Sequence, residues 1–411
     1  MGGTGSEGVA VPAPLEGITV IEAANYVAAP ATGALLADLG ATVVKVEPPG
    51  GEVMRGVIPS GADTRIPFNF LFELENRGKR SVTIALDAPG GPELLLRLVE
   101  SADVFLTNLM APRLERFGLG PDAVLRRNPR VIYVGITGYG LDGPDAARPG
   151  FDFSAFWARS GIMSVVGHPG APPVLSRIAQ GDHTTAINAV AATLAALRLR
   201  EMTGEGQVVD VSLQQTGVYT IATDLARTLV DGSHPKTHDR AAPENPLFNT
   251  YPTRDGHWIL LVHMTPDPYW PKLCRALGCQ EMAEDPGYAT MAARRSRGAE
   301  LAAFIEHAFL QDDLARWATK LDAEGVIWAP MVDLPQVAAD PALRERNAFQ
   351  PLELADGRVS ETVGVPFVIR DAEIRARGAA SLPGADTMEV LVRAGLSEDE
   401  IASLAADGVF G

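Results

Sequence analysis

The sequence predicts an α/β protein, with an open parallel sheet in a large domain and a smaller α+β domain attached to it. Three observations predict this. Short apolar runs alternate with helical patterns through the first half of the 411 residues, the mark of βαβ units. The alternation stops after Leu213, where a polar stretch leads to a hairpin pattern and several helical ones. Helical periodicity closes the chain beyond residue 383.

Taken in order, residues 1–16 carry neither a basic nor an apolar leader region and read as a flexible N-terminus. The large domain occupies 17–213. Strands are expected at 18–22, 42–47, 81–86, 103–107, 131–136 and 208–213. Helices at 30–40, 90–102, 112–117 and 121–127 separate them, and Leu94, Leu95, Leu98 and Val99 share one face. Such a Rossmann-like sheet binds ligands at the carboxyl ends of its strands. The longest single pattern is 181–213. Ile187, Val190, Ala191, Leu194 and Leu197 recur at helical spacing and predict a buried face. Gly204 and Gly206 end the helix, and Val208, Val209, Val211 and Leu213 follow as a buried strand.

A linker at 214–239 leads to the small domain at 240–345, with a hairpin at 249–262 turning on Asp255-Gly256. Its helices are expected at 269–277, 297–310 and 314–324. A returning linker at 346–382 holds a strand-like run at 362–369, and 383–411 rejoins the large domain. There Ser397 and Glu400 form a capping box.

The net charge of −16 argues against nucleic-acid or anionic-membrane partners. No apolar run reaches the roughly 20 residues of a membrane span. Cys274 and Cys279 are too few for a disulfide framework and read as buried free thiols, in keeping with a cytoplasmic location. The seven histidines show no metal-ligand spacing, so no metal is expected. Gly138, Gly140 and Gly143 match a dinucleotide-binding fingerprint after a strand, but Pro144 follows where that site needs a helix. These glycines instead shape a tight loop. Arg77, Lys79 and Arg80 read as a solvated loop, and His183 as an exposed first-turn residue. Asp182 stands just ahead of the long helix. An acid there caps unpaired backbone N–H groups, or, kept ionised by the helix dipole, serves as a nucleophile. The local pattern leaves both open.

In their order, these segments resemble the family III CoA-transferases, the CaiB/BaiF group that includes formyl-CoA transferase and the carnitine CoA-transferases. The likeness runs through LLADLGATVVKVEPPGG, NRGKRSVTIAL, ADVFLTN, RLERFGLG, NPRVIYVGITGYGLDGP, PGFDF and the 181–213 stretch to VLVRAGLSEDEIASL. The resemblance implies an interlocked homodimer that takes acyl-CoA and a carboxylic acid as substrates and holds no permanent cofactor. It makes Asp182 the nucleophile carrying covalent aspartyl intermediates. It also assigns CoA contacts to Val27, Ala28, Ile84, Ala85, Leu86, Asp87, Asn108, Leu109, Arg116 and Phe151.

The departures from that pattern are informative. Formyl-CoA transferase has glutamine at the position of Val27 and arginine at that of Pro48, and a glycine-rich loop that AAPENPLFNTYPTRDG lacks. The related α-methylacyl-CoA racemases place a histidine where this chain has Phe151, which cannot carry a proton. Racemisation is therefore the second reading, and CoA binding without turnover the third.

Overall fold

A computed structural model describes residues 12–57, 66 and 68–410, so most of the expected flexible N-terminus lies outside the described residues. The chain divides into two units. The first comprises the chain through Ile162, Leu175–Val230 and Pro341 onward; the second comprises Met163–Val174 and Asp231–Asp340.

The first unit is built on strands β1 (Thr19–Ala23), β2 (Thr42–Glu47), β3 (Arg80–Thr83), β4 (Val104–Thr107), β5 (Ile132–Thr137) and β6 (Gln207–Ser212). All pair in parallel, in the order β3-β2-β1-β4-β5-β6. Central strands are buried on both faces, which is why they read as continuous Val/Ile runs rather than alternating ones. The helices are α1 (Ala28–Asp38), α2 (Phe70–Asn76), α3 (Gly91–Glu100), α4 (Ala111–Phe117) and α5 (Pro121–Arg127), then a single turn α6 (Ile162–Val165) and the long α7 (Gln180–Thr203). Leu94, Leu95, Leu98 and Val99 of α3 are all buried against the sheet, as their spacing requires.

Four expectations need correction. The buried face of α7 is made of Thr185, Ala186, Ala189, Val190, Thr193, Ala196 and Leu197, while Ile187 and Leu194 are exposed. Small residues win because α7 packs against α1, itself lined by Ala28, Ala29, Ala31, Thr32 and Ala34; two such helices approach closely only where side chains are short. Strand β6 is not buried throughout: Val208 and Asp210 are exposed, because β6 is a sheet edge. The stretch at 214–239 is not a plain linker. It is helical as α8 (Leu213–Thr220) and α9 (Ala222–Asp231), and α8 starts where the Ser212 hydroxyl accepts a hydrogen bond from the Gln215 N–H. The returning stretch at 346–382 holds α16 (Pro341–Glu345) at its approach, then a hairpin of β10 (Phe349–Glu353) and β11 (Val359–Val363). That hairpin turns on Asp356-Gly357, and Gly364 and Pro366 end β11 before 369.

The C-terminal helices α17 (Thr387–Arg393) and α18 (Glu398–Ala406) close the unit beside β3. Asp386 accepts from the Ser81 N–H at 2.8 Å, and the Ala85 N–H donates to the Val409 carbonyl at 2.7 Å. Ser397 and Glu400 make the expected capping box.

The second unit carries the antiparallel sheet β7 (Phe248–Pro252), β8 (Trp258–Val262) and β9 (Trp328–Pro330). Around it lie α10 (Trp270–Leu277), α11 (Gln280–Glu284), α12 (Met291–Ser296), α13 (Gly298–Phe309), α14 (Leu314–Glu324) and α15 (Leu334–Ala339). Tyr251, Ile259, Trp270, Phe309 and Trp317 centre its core, where Cys274 and Cys279 are buried and unpaired.

Candidate active site

The strand order reverses between β1 and β4, so the chain leaves those two carboxyl ends in opposite directions and a crevice opens between them. Asn25 and Asn108 hold its rim. The Asn25 N–H donates to the Asn108 Oδ1 at 3.0 Å, and the Asn108 Nδ2 donates to the Asn25 carbonyl at 2.6 Å. Asn108 thus uses both ends of its amide to lock the β1 loop, and reaches the crevice as a framework residue.

One part of the crevice is lined by Ala24, Val46, Pro48, Ile84, Ala85, Leu86, Asp87 and Leu109, together with Arg113. This brings the expected 84–87 stretch and Leu109 to one place. Arg116 stands apart from that lining: it pairs with Asp87, and both side chains are about two-thirds exposed. Arg113, one helical turn earlier, is the guanidinium of α4 that lines this part of the cleft, and spacing alone did not single it out.

A neighbouring part is lined by Tyr26, Val27, Ala28, Asn108, Gly138, Arg148, Phe151, Asp182 and Leu213. Tyr26 adopts a left-handed φ of 67°, a conformation that costs a non-glycine residue about 1–2 kcal/mol. Its N–H is fixed by Glu52 at 3.1 Å, and its ring meets Phe151 edge-to-face at 5.4 Å. Gly138 and Gly150 press together beneath. A methyl on Gly138 would lie 2.7 Å from the Gly150 Cα, so the glycine run serves a close backbone crossing.

The position of Asp182 differs from the expected one. Helix α7 begins at Gln180, preceded by Ala179 with a left-handed φ of 65°, and Asp182 is the third residue of its first turn. Its carboxylate makes no hydrogen bond or ion pair with any described residue. Asp152 does the capping instead, accepting from the Gly181 N–H at 3.1 Å across 29 positions of sequence. Any residue but glycine at 181 would press its Cβ to 2.3 Å from both the Asp152 carboxylate and the Phe156 ring. The glycine of the GD pair therefore admits the cap that leaves Asp182 free.

The helix dipole does not keep Asp182 acidic. Burial raises its carboxyl, the Asp152 and Glu75 charges add, and His183 only partly offsets them, leaving its pKa at about 7. Asp152 is buried and also raised, by burial against the restraining backbone N–H groups of Gly181 and Ala179. Its Oδ2 has no hydrogen-bond partner among the described residues. His183 is not a plain surface residue, since its Nε2 lies 2.8 Å from the Glu75 Oε1. Nor are the basic residues a solvated loop. Arg77 is buried against Asp38 at 2.6 Å and Lys79 against Glu22 at 2.7 Å; only Arg80 reaches the surface. Burial lowers the Lys79 ammonium to about 8. Lys79 also donates to the Pro30 carbonyl at 2.8 Å and to Asn76 at 3.0 Å, joining α1 to α2 behind the site.

Sequence matching places this architecture among known proteins. Residues 15–387 match CoA-transferase family III. The chain is 30% identical to (R)-2-hydroxy-4-methylpentanoate CoA-transferase of Clostridioides difficile, over 94% of its own length and 97% of that protein's. It is 33% identical to a succinate–glutarate CoA-transferase of Agrobacterium fabrum, covering 92% and 95%. Among solved structures, a CAIB/BAIF family protein from Brucella suis superposes with a TM-score of 0.81 at 31% identity, covering 93% of this chain and 99% of that one.

Proposed function

The chain belongs to CoA-transferase family III, and from that premise we propose that it moves CoA from an acyl-CoA to a carboxylic acid through covalent intermediates on Asp182. The observation that carries this reading is the free Asp182 carboxylate, partly buried in the crevice that also holds Val27, Ala28, Asn108 and Phe151.

The chemistry needs only a nucleophilic carboxylate and a retained thiolate. Asp182 attacks the thioester carbonyl of the donor; the C–S bond breaks and a mixed anhydride and CoA thiolate result. The thiolate attacks the aspartyl carbonyl, releasing the donor acid and leaving an aspartyl-CoA thioester. The acceptor carboxylate attacks that thioester, freeing the thiolate and forming a second anhydride. The thiolate then takes the acceptor acyl group, and Asp182 returns as a carboxylate. Raising the carboxyl to about 7 makes its conjugate base a stronger nucleophile than an ordinary carboxylate.

Phe151 carries no proton and packs on Tyr26, which supports transfer over two-base racemisation. In this reading Val27, Ala28, the 84–87 stretch, Leu109 and Arg113 meet CoA, and their place in the lining of the crevice supports it. The pairing of donor and acceptor is found by screening acyl-CoA thioesters against carboxylic acids, with mass spectrometry of the new thioesters. With the active pair, the wild type should carry a CoA adduct on the Asp182 peptide. Asp182→Ala should carry none and lose about three orders of magnitude or more in kcat; near-normal turnover in that variant sinks the mechanism.

The working form we infer is an interlocked homodimer. Helix α9 has no buried residue, and Leu229 and Val230 are 86% and 88% exposed, an apolar face that a second copy can cover. Light scattering should give twice the 43.5 kDa chain mass.

A further inference from the structure

The reaction brings carboxylates to a place that already holds three acids. Asp182 lies on α7, Asp152 caps that helix from the segment before it, and Glu75 approaches from α2. The departing donor acid and the arriving acceptor each bring a further negative charge to that place while Asp182 itself is acylated and neutral, beside the Asp152 and Glu75 carboxyls. A part-buried site that gathers anions in this way is stabilised by a fixed positive group.

His183 is the group in position to supply it. It follows Asp182 directly on the first turn of α7, and its Nε2 meets the Glu75 Oε1 at 2.8 Å. Glu75 is deeply buried, its side chain 3% exposed, whereas that of His183 is 44% exposed. His183 is the hydrogen-bond partner that Glu75 has among the described residues.

The mount of Glu75 is rigid. The Asn69 side chain caps α2 by accepting from the Phe72 N–H at 3.0 Å and donates to the Met54 carbonyl at 2.7 Å. Asn76 is held by Lys79 at the other end. Beside the ring lies an apolar cleft lined by Leu35, Leu74, Ile187 and Val363, while the Glu75 end of the hydrogen bond is buried, which strengthens it. Arg77 also lines that cleft but is engaged by Asp38.

Resting on the proposed role of Asp182, we propose that His183, held by Glu75, is a positioning residue: its imidazolium is the fixed counter-charge that favours the ionised form of Asp182 and accommodates the substrate carboxylates. Its electrostatics agree. Burial works against a charge on the ring, but the Glu75 hydrogen bond and charge, with Asp182 and Asp152 behind them, outweigh it and raise the imidazole.

The test has two readings on the full-length protein. Histidine NMR titration of the wild type should show one imidazole, absent from His183→Gln, titrating above 6.5, and Glu75→Gln should lower it. The acid limb of kcat/KM, measured with the donor–acceptor pair from the screen, should move up by about one pH unit in His183→Gln. His183→Lys should restore it. A merely structural role would lower kcat evenly across pH and leave the limb in place. If the His183→Gln profile superposes on the wild type after scaling while the wild type still carries the CoA adduct, this inference falls and the aspartyl mechanism stands. If the wild type carries no adduct, the mechanism falls and takes this inference with it.

Discussion

At the scale of single residues, the raised carboxyl of Asp182 bears on the proposed activity and on stability alike. A carboxyl at about 7 attacks only when ionised, so kcat/KM should fall tenfold per pH unit below about 7. Stability runs the other way. The folded-state value lies above the ordinary 3.8, so the folded protein binds this proton more tightly than the unfolded chain does. Ionisation therefore costs stability as pH rises from about 4 to about 7. Asp182→Asn should accordingly melt at a higher temperature than the wild type at pH 8 and lose that advantage at pH 4, which calorimetry at the two pH values would show. The sequence offered Asp182 as a candidate, through its place at the start of the long helix and through the family resemblance. Its neighbours were not legible there. Glu75 and Asp152 come from other elements, and no local pattern announces that an acid 29 positions upstream of Gly181 will cap a helix. The one local clue was Gly181, whose missing side chain makes room for that cap.

At the scale of elements, spacing identified α7 but chose the wrong face. A periodicity of large apolar residues marks a buried stripe only when the partner surface has room for them. Helix α1 presents alanine, threonine and glycine, so α7 turns its own small residues inward. Ala189 is fully buried there. Ala189→Leu should destabilise the fold by about 1–3 kcal/mol through overpacking, whereas Leu194→Ala on the exposed face should shift stability far less; urea unfolding separates the two. The ends of the parallel strands were legible to within three residues, since a doubly covered parallel strand can hardly be anything but a Val/Ile run. The linkers were less so. The Ser212 cap and the Asp356-Gly357 turn carry clear signals, but each sits in a polar stretch whose loop-like composition outweighed them.

At the scale of the whole chain, the first unit is assembled from segments far apart in sequence, and its C-terminal part completes the wall around β3. Ser81, Thr83 and Ala85 are each hydrogen-bonded to residues beyond 383. Removing residues 384–411 should therefore leave these groups unpaired and strip Val390, Leu391, Leu396 and Ile401 from the core. Loss of the cooperative thermal transition is the expected outcome, and a truncated protein that melts like the full chain would contradict it. The same arrangement has a consequence during synthesis. When a ribosome has already made Asp182 and all six strands of the sheet, the strand end that carries Ile84 to Asp87 still waits for its last partners. These lie beyond residue 383 and are translated long after the last strand of the sheet. A nascent chain at that stage thus holds Asp182 without the finished cleft around it.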